Sequence, residues 1–267
     1  MKQSWKILVV ALLLTSCSKV PITNRKQMNL IPESQITQLS LSEYKEFLSQ
    51  AKVVDPKNAD AKMVNSVGTK ISNAVKLFMA QNKLSDRIKG YQWEYNLVED
   101  KAVNAFCMPG GKIVVFTGLL PITKDETSLA FVMGHEVAHA VARHGNERVS
   151  QGLAAQVGGV ALDVALSQKN QQTRVLAQQA FGMGVSVGAI LPFSRLHETE
   201  ADKLGMVFMA MAGYDPRVAP EMWSRMSATG GQKPPEFLST HPSDAKRMAT
   251  MKAYMPQALK YYKPIKK

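Results

Sequence analysis

The chain has 267 residues, 45% of them hydrophobic and 20% charged, which is enough apolar content for a substantial core and excludes a disordered or fibrous protein. Its formal charge of +12 is scattered along the sequence and clusters only in the C-terminal KYYKPIKK. With no recognition motif, this balance argues against a nucleic-acid partner and leaves room for attraction to anionic membrane surfaces.

At the N-terminus, Lys2 and Lys6 precede an apolar run from Ile7 to Leu14 and then small residues, the pattern of a secretory signal peptide and too short to span a bilayer. The LTSC of Leu14 to Cys17 resembles the bacterial lipobox, so residues 1–16 are expected to be removed and Cys17 to carry the lipid anchor. Cys107 is then left alone, and no intramolecular disulfide is expected. NAFCMPGGK offers no second metal-type ligand, so Cys107 reads as a small packing residue.

Residues 17–57 contain Pro21 and Pro32 without sustained periodicity and read as a tether or wrapped extension. A single domain is expected over 58–255, followed by a basic tail at 256–267. Val64, Val67, Ile71, Val75 and Phe78 recur at helical spacing within 58–82. YQWEYNL alternates as a half-buried strand, MPGGK makes a tight turn, and KIVVFT from Lys112 is a second strand. Thr123 with Glu126 forms a capping box, and Gly145 a stop, for a helix over 124–144. Residues 150–193, rich in Gly, Ala, Val and Gln, read as two helices packed around that helix, or alternatively as a mobile element over a groove. SRLHETEADKLGMVFMAMAG is a further helix closed by Gly213 and Pro216. The fold class expected is α+β, mainly α with a small β-sheet.

Three of the five histidines fall in VMGHEVAHAVARHG, residues 132–145. His135 and His139, four apart on a helix, project from one face and can share an ion, and Glu136 between them can take a proton from a metal-activated water. The ion expected is zinc, one per chain. A third ligand must come from elsewhere, because two histidines and a water do not complete a catalytic zinc site. The metzincin continuation would need Gly at 142 and His at 145, where the chain has Ala142 and Gly145. In RLHETEAD, Glu198 and Asp202 lie one turn apart on one face, while Glu200 is turned away by roughly 200°. The geometry favours Glu198 as ligand, with Asp202 accepting a ring N–H from a ligating histidine. His144 and His197 are not expected to be ligands.

HEVAH, ETEAD, NAFCMPGGKIVVFTGLL and STHPSDAKR together resemble the zinc metallopeptidase family of HtpX, the CAAX prenyl protease and BepA, over about residues 60–250. The resemblance implies a gluzincin-type fold, zinc on His135, His139 and Glu198, and Glu136 as general base. It also favours a catalytic role for His241, which swings toward the metal or the oxyanion, over that of a plain loop histidine. The absence of membrane-spanning segments points to the lipid-anchored, soluble bacterial members. The expected activity is endopeptidase action on unfolded or misassembled envelope proteins, from a periplasm-facing lipoprotein of the outer rather than the inner membrane. Ile113, Val114 and Val115 are expected to offer a free strand edge to an extended substrate. The alternative, a zinc-bound chaperone or adaptor without peptidase activity, leaves the general base Glu136 unexplained.

Overall fold

A computed structural model describes residues 17–186, 191–228, 241 and 245–264. The expected signal peptide, the stretch between residue 228 and His241, and the last residues of the basic tail lie outside these. In chain order the elements are β1 (Cys17–Lys19), β2 (Lys26–Met28), α1 (Glu33–Gln50), α2 (Ala59–Gln81), β3 (Glu94–Val98), β4 (Ala105–Met108), β5 (Lys112–Phe116), α3 (Leu120–Thr123), α4 (Glu126–Val141), α5 (His144–Ala165), α6 (Gln171–Val185), α7 (Leu191–Met211), α8 (Ala219–Ala228) and α9 (Ala245–Leu259). The fold is mainly α with small sheets, as expected. No described helix is long and apolar enough to cross a membrane.

The chain forms two compact units, one of residues 1–33 and 143–197, the other of 34–142 and 198–267. In the first, β1 and β2 pair antiparallel, with Ser18 opposite Gln27. Asn146 Nδ2 donates to the carbonyl of Ile31, and the Leu30 N–H donates to Ser150 Oγ, so the end of the N-terminal segment is fastened to the first turns of α5. α6 folds back on α5 through Phe181, whose ring lies over Gly158, and through an Arg174–Asp163 ion pair at 2.7 Å.

In the second unit the sheet runs β3-β5-β4, with β5 parallel to β3 and antiparallel to β4. Here the expectation for Ile113, Val114 and Val115 is corrected. All five residues of β5 are buried and both of its hydrogen-bonding edges are taken, so it offers no edge to a substrate. The uninterrupted apolar run of KIVVF is what a central strand covered on both faces looks like. The sheet's edges are β4 and β3, and residues 52–54 run along the outer side of β3.

The extension boundary at residue 57 also moves. Tyr44, Phe47 and Leu48 of α1 pack over Val114, Phe116 and Phe106 of the sheet, with the Phe47 and Phe106 rings edge-on at 5.3 Å. An 18-residue helix with this apolar patch is therefore part of the sheet layer, and no tether. α2 is capped by Asn58, whose Oδ1 accepts from the Asp60 and Ala61 N–H groups, and it buries Val64, Val67, Ile71, Val75 and Phe78.

The boundaries of α4 differ from the capping-box reading. Asp125 is the N-cap, its side chain accepting from the Ser128 N–H at 2.7 Å, while Thr123 closes α3 by donating to the Leu120 carbonyl. The C-terminal break is Arg143, at φ 61°, and Gly145 lies inside α5. Fourteen of the sixteen residues of α4 are buried, so it runs as the central rod of its unit.

Two glycines fix how closely α4 and α7 approach. A Cβ added at Gly134 would stand 3.0 Å from the Gly205 carbonyl oxygen, and one at Gly205 would stand 2.9 Å from the His135 nitrogen. The two backbones therefore touch at the level of the histidine pair. Gly205→Ala is expected to cost roughly 1–3 kcal/mol, as overpacking of a filled core does, and to weaken zinc retention because it spreads α4 from α7. Thermal denaturation and zinc content of the purified variant measure the two effects.

Candidate metal centre

α4 presents His135 and His139 on one face, and α7, brought close by the glycine contact, presents Glu198 and Asp202. The histidine Nε2 atoms are 3.1 Å apart, and each is 3.3 Å from an oxygen of Glu198. His241 reaches the same point: its Nδ1 is 3.0 Å from both Glu198 oxygens and 3.4 Å from His135 Nε2. One donor atom from each of these four residues lies within 4.8 Å of the others. His135, His139 and Glu198 are buried. Glu136 is buried as well, with Oε1 3.6 Å from His241 Nε2.

This donor set fits zinc. Ligand atoms placed tetrahedrally at about 2.0–2.1 Å from zinc are separated by about 3.3–3.4 Å, which is the spacing found here. The proton inventory agrees. His135 Nδ1 faces Asp202 Oδ1 at 3.1 Å, so its proton belongs there and Nε2 is left with a bare lone pair aimed at His139 and Glu198. Converging lone pairs and a carboxylate repel one another unless a cation sits among them. Without one, a proton serves: burial pulls the His135 ring down, but Asp202 and Glu198 hold it up at about 9. Burial alone would raise Glu198, yet His139, His135 and His241 drive it far below the usual carboxylate range. The field of the site thus selects positive charge.

Behind the ligands lies a second ring of contacts. Arg247, on α9, donates from Nε to Asp202 Oδ2 at 2.8 Å and from Nη2 to Oδ1 at 2.7 Å, and its Nη1 lies 3.0 Å from Glu198 Oε2. The same nitrogen donates to the His241 carbonyl at 3.3 Å. Trp223, on α8, donates from Nε1 to Asp202 Oδ1 at 3.2 Å, and the Arg247 guanidinium stacks on its indole at 4.2 Å. Burial would raise Asp202, but the Arg247 charge and the His135 ring hold it down, so it stays an acceptor for His135. Neither residue stands out in the sequence: Arg247 is one of many scattered basic residues, and a lone tryptophan in PEMWSRM carries no spacing signal.

Glu200, the alternative ligand, is buried but outside the converging set. Cys107 is half-buried in β4, its thiol raised well above the ordinary range by burial and by the nearby Glu136 charge, and it too is outside the set. His144 and His197 lie in the first unit, where their rings stack at 4.2 Å. His197 Nε2 is 2.8 Å from Glu147, whose two oxygens also accept from Arg25 at 2.7 Å each. Burial would raise Glu147, but Arg25, His197 and Gln27 bring it to about 2.

Residues 66–255 match peptidase family M48. The mitochondrial metalloendopeptidase OMA1 of Schizosaccharomyces pombe is 34% identical over 248 residues, 91% of this chain and 68% of that protein. The metalloendopeptidase OMA1 of Homo sapiens is 31% identical over 263 residues, 96% of this chain and 49% of that protein. The putative beta-barrel assembly-enhancing protease of Vibrio cholerae is 29% identical over 175 residues, 64% of this chain and 35% of that protein. The chain spans about half the length of the human relative and about a third of the Vibrio one.

Asp202→Asn keeps the shape of the side chain but removes the charge that fixes the His135 ring and balances Arg247. Zinc affinity is expected to fall by roughly 10–100-fold, read by competition with a chelator, with little change in helix content.

Proposed function

The chain belongs to peptidase family M48 and is by that membership a zinc metalloendopeptidase, and from this premise we propose that it cleaves unfolded or misassembled proteins of the cell envelope from a lipid anchor at Cys17. The observation that carries the reading is the convergence of His135, His139 and Glu198 with Glu136 beside them. A zinc ion in that set supplies a Lewis acid that polarises a peptide carbonyl and makes water acidic near neutral pH.

The chain's own groups do the rest. Glu136 takes the proton of the attacking water and returns it to the leaving amine. Asp202 keeps the His135 ring in the tautomer that presents Nε2, and Arg247 with Trp223 keeps Asp202 in place. An extended substrate segment pairs with β4, the edge strand opposite β3, against which α4 packs, and is read mainly through its backbone. Such reading suits unfolded chains, in which the backbone is exposed whatever the sequence.

With zinc on His135, His139 and Glu198, His241 would be a further donor to the ion. The support is the approach of its Nδ1 to Glu198 and His135, which makes four protein donors where a working zinc site keeps one position open. The envelope setting and the anchor are supported by the lipobox-like LTSC at Leu14 to Cys17 and by the likeness to a protein named for enhancing beta-barrel assembly. The outer membrane is the proposed location.

Purified protein is expected to cut casein, and Glu136→Gln is expected to lose at least about a thousandfold of that activity while holding equal zinc, as removal of a general base does. Equal cutting by the two proteins sinks the assignment of Glu136. His241→Ala is expected to release zinc to a chelator faster and to raise basal cleavage of casein. A fall in kcat with unchanged zinc release assigns His241 to the oxyanion instead.

A further inference from the structure

The α5 helix carries a line of outward-facing aliphatic side chains. Val149, Leu153, Val157, Val160 and Val164 are 47%, 40%, 70%, 66% and 67% exposed. Their spacing puts them within roughly 80° of one helix face. α6 does not serve as their cover, because its Phe181 meets α5 at Gly158, about 140° round from the middle of that face. α6 has outward aliphatics of its own, with Val175, Leu176 and Met183 at 47%, 59% and 66% exposure, but they lie roughly 120–160° round from Phe181 and so face away from α5. From Val149 to Ser186 the charged residues are Asp163, Lys169 and Arg174, and the first and last of these pair with each other.

We propose that this face of α5 lies in the surface layer of a lipid bilayer, as a membrane contact separate from the lipid at Cys17. The inference rests on the reading of the protein as membrane-attached. Two observations favour a bilayer over a protein partner. The α5 line holds only Val and Leu, whereas protein interfaces concentrate Tyr, Trp, Met and Arg. The compact unit that bears α5 also contains β1, which starts at Cys17 directly after the apolar run Ile7 to Leu14, so the proposed anchor enters the membrane from this same unit. α5 lies in the interface and does not span it, since no described helix is long and apolar enough to cross.

The test uses the mature chain from residue 17, with Cys17 lipidated or as Cys17→Ser, mixed with phosphatidylcholine vesicles containing brominated lipid. A fluorophore is placed at Val160→Cys or, as control, at Leu77→Cys, which is 50% exposed in the other unit, both in a Cys107→Ser background. Quenching at 160 and none at 77 is expected, unchanged in high salt because the contact is apolar. The triple variant Val157→Asp, Val160→Asp, Val164→Asp should lower flotation of the Cys17→Ser chain by at least about tenfold while keeping its zinc. An unquenched label at 160 on a lipidated chain that floats overturns the inference and leaves the anchor standing. A self-associated species in buffer that the triple variant dissolves, with no quenching, overturns it in favour of a second copy of the chain. Equal flotation of both forms, with quenching at 160 and no lipid on Cys17 by mass spectrometry, removes the anchor and keeps the inference.

Discussion

The metal centre depends on two backbones touching. His135 and His139 sit on α4 and Glu198 on α7, and their donor atoms meet only because Gly134 and Gly205 let the helices approach without side chains between them. A helix carries its side chains on a cylinder about 10–12 Å across, so ordinary residues at this crossing would hold the carboxylate too far from the imidazoles. The glycines carry none of the chemistry, yet they set the scale on which it operates. The loss of helix propensity at each, about 1 kcal/mol, is offset by the burial of α4 among its neighbours.

Charge is the second constraint. Two carboxylates, Glu198 and Asp202, are buried beside three histidines and Arg247, and neither acid would stay ionised there alone. Arg247 compensates both, reaching Asp202 with two nitrogens and Glu198 with a third, and its flat face rests on Trp223. Arginine suits the position because its guanidinium is planar and always charged, so it can fork and stack at the same time. The donors therefore come from α4, α7 and His241, and α8 and α9 reach them through Asp202, Glu198 and the His241 carbonyl.

Much of this was legible in the sequence. The four-residue spacing of His135 and His139 and the one-turn spacing of Glu198 and Asp202 are local patterns, and local patterns survive folding. What could not be read is what depends on contacts distant in sequence. Trp223 and the full reach of Arg247 come from α8 and α9, whose placement no periodicity encodes. The central place of β5 was hidden for the same reason: its parallel partner β3 is separated from it in sequence by β4, so its position is a property of topology, although the apolar run Ile113 to Phe116 hinted at it. The ends of the motif helix differ from the sequence expectation by two and three residues, in part because Asp125 and Thr123 are both competent caps and only the crossing of the chain decides between them.

The carboxylate of Glu147 draws a line through the N-terminal segment. It is buried, and Arg25, just before β2, and Gln27, on β2, supply three of its donors. A protein cut at Cys17 keeps them all, whereas one trimmed past Gln27 leaves an anion in the interior with His197 as its remaining partner among these contacts. Loss of one side of a buried ion pair is a severe defect in a folded chain. Nicking before Arg25 and nicking after Gln27 are thus different events: the first leaves every donor to Glu147 attached, and the second lets three of them leave the fold.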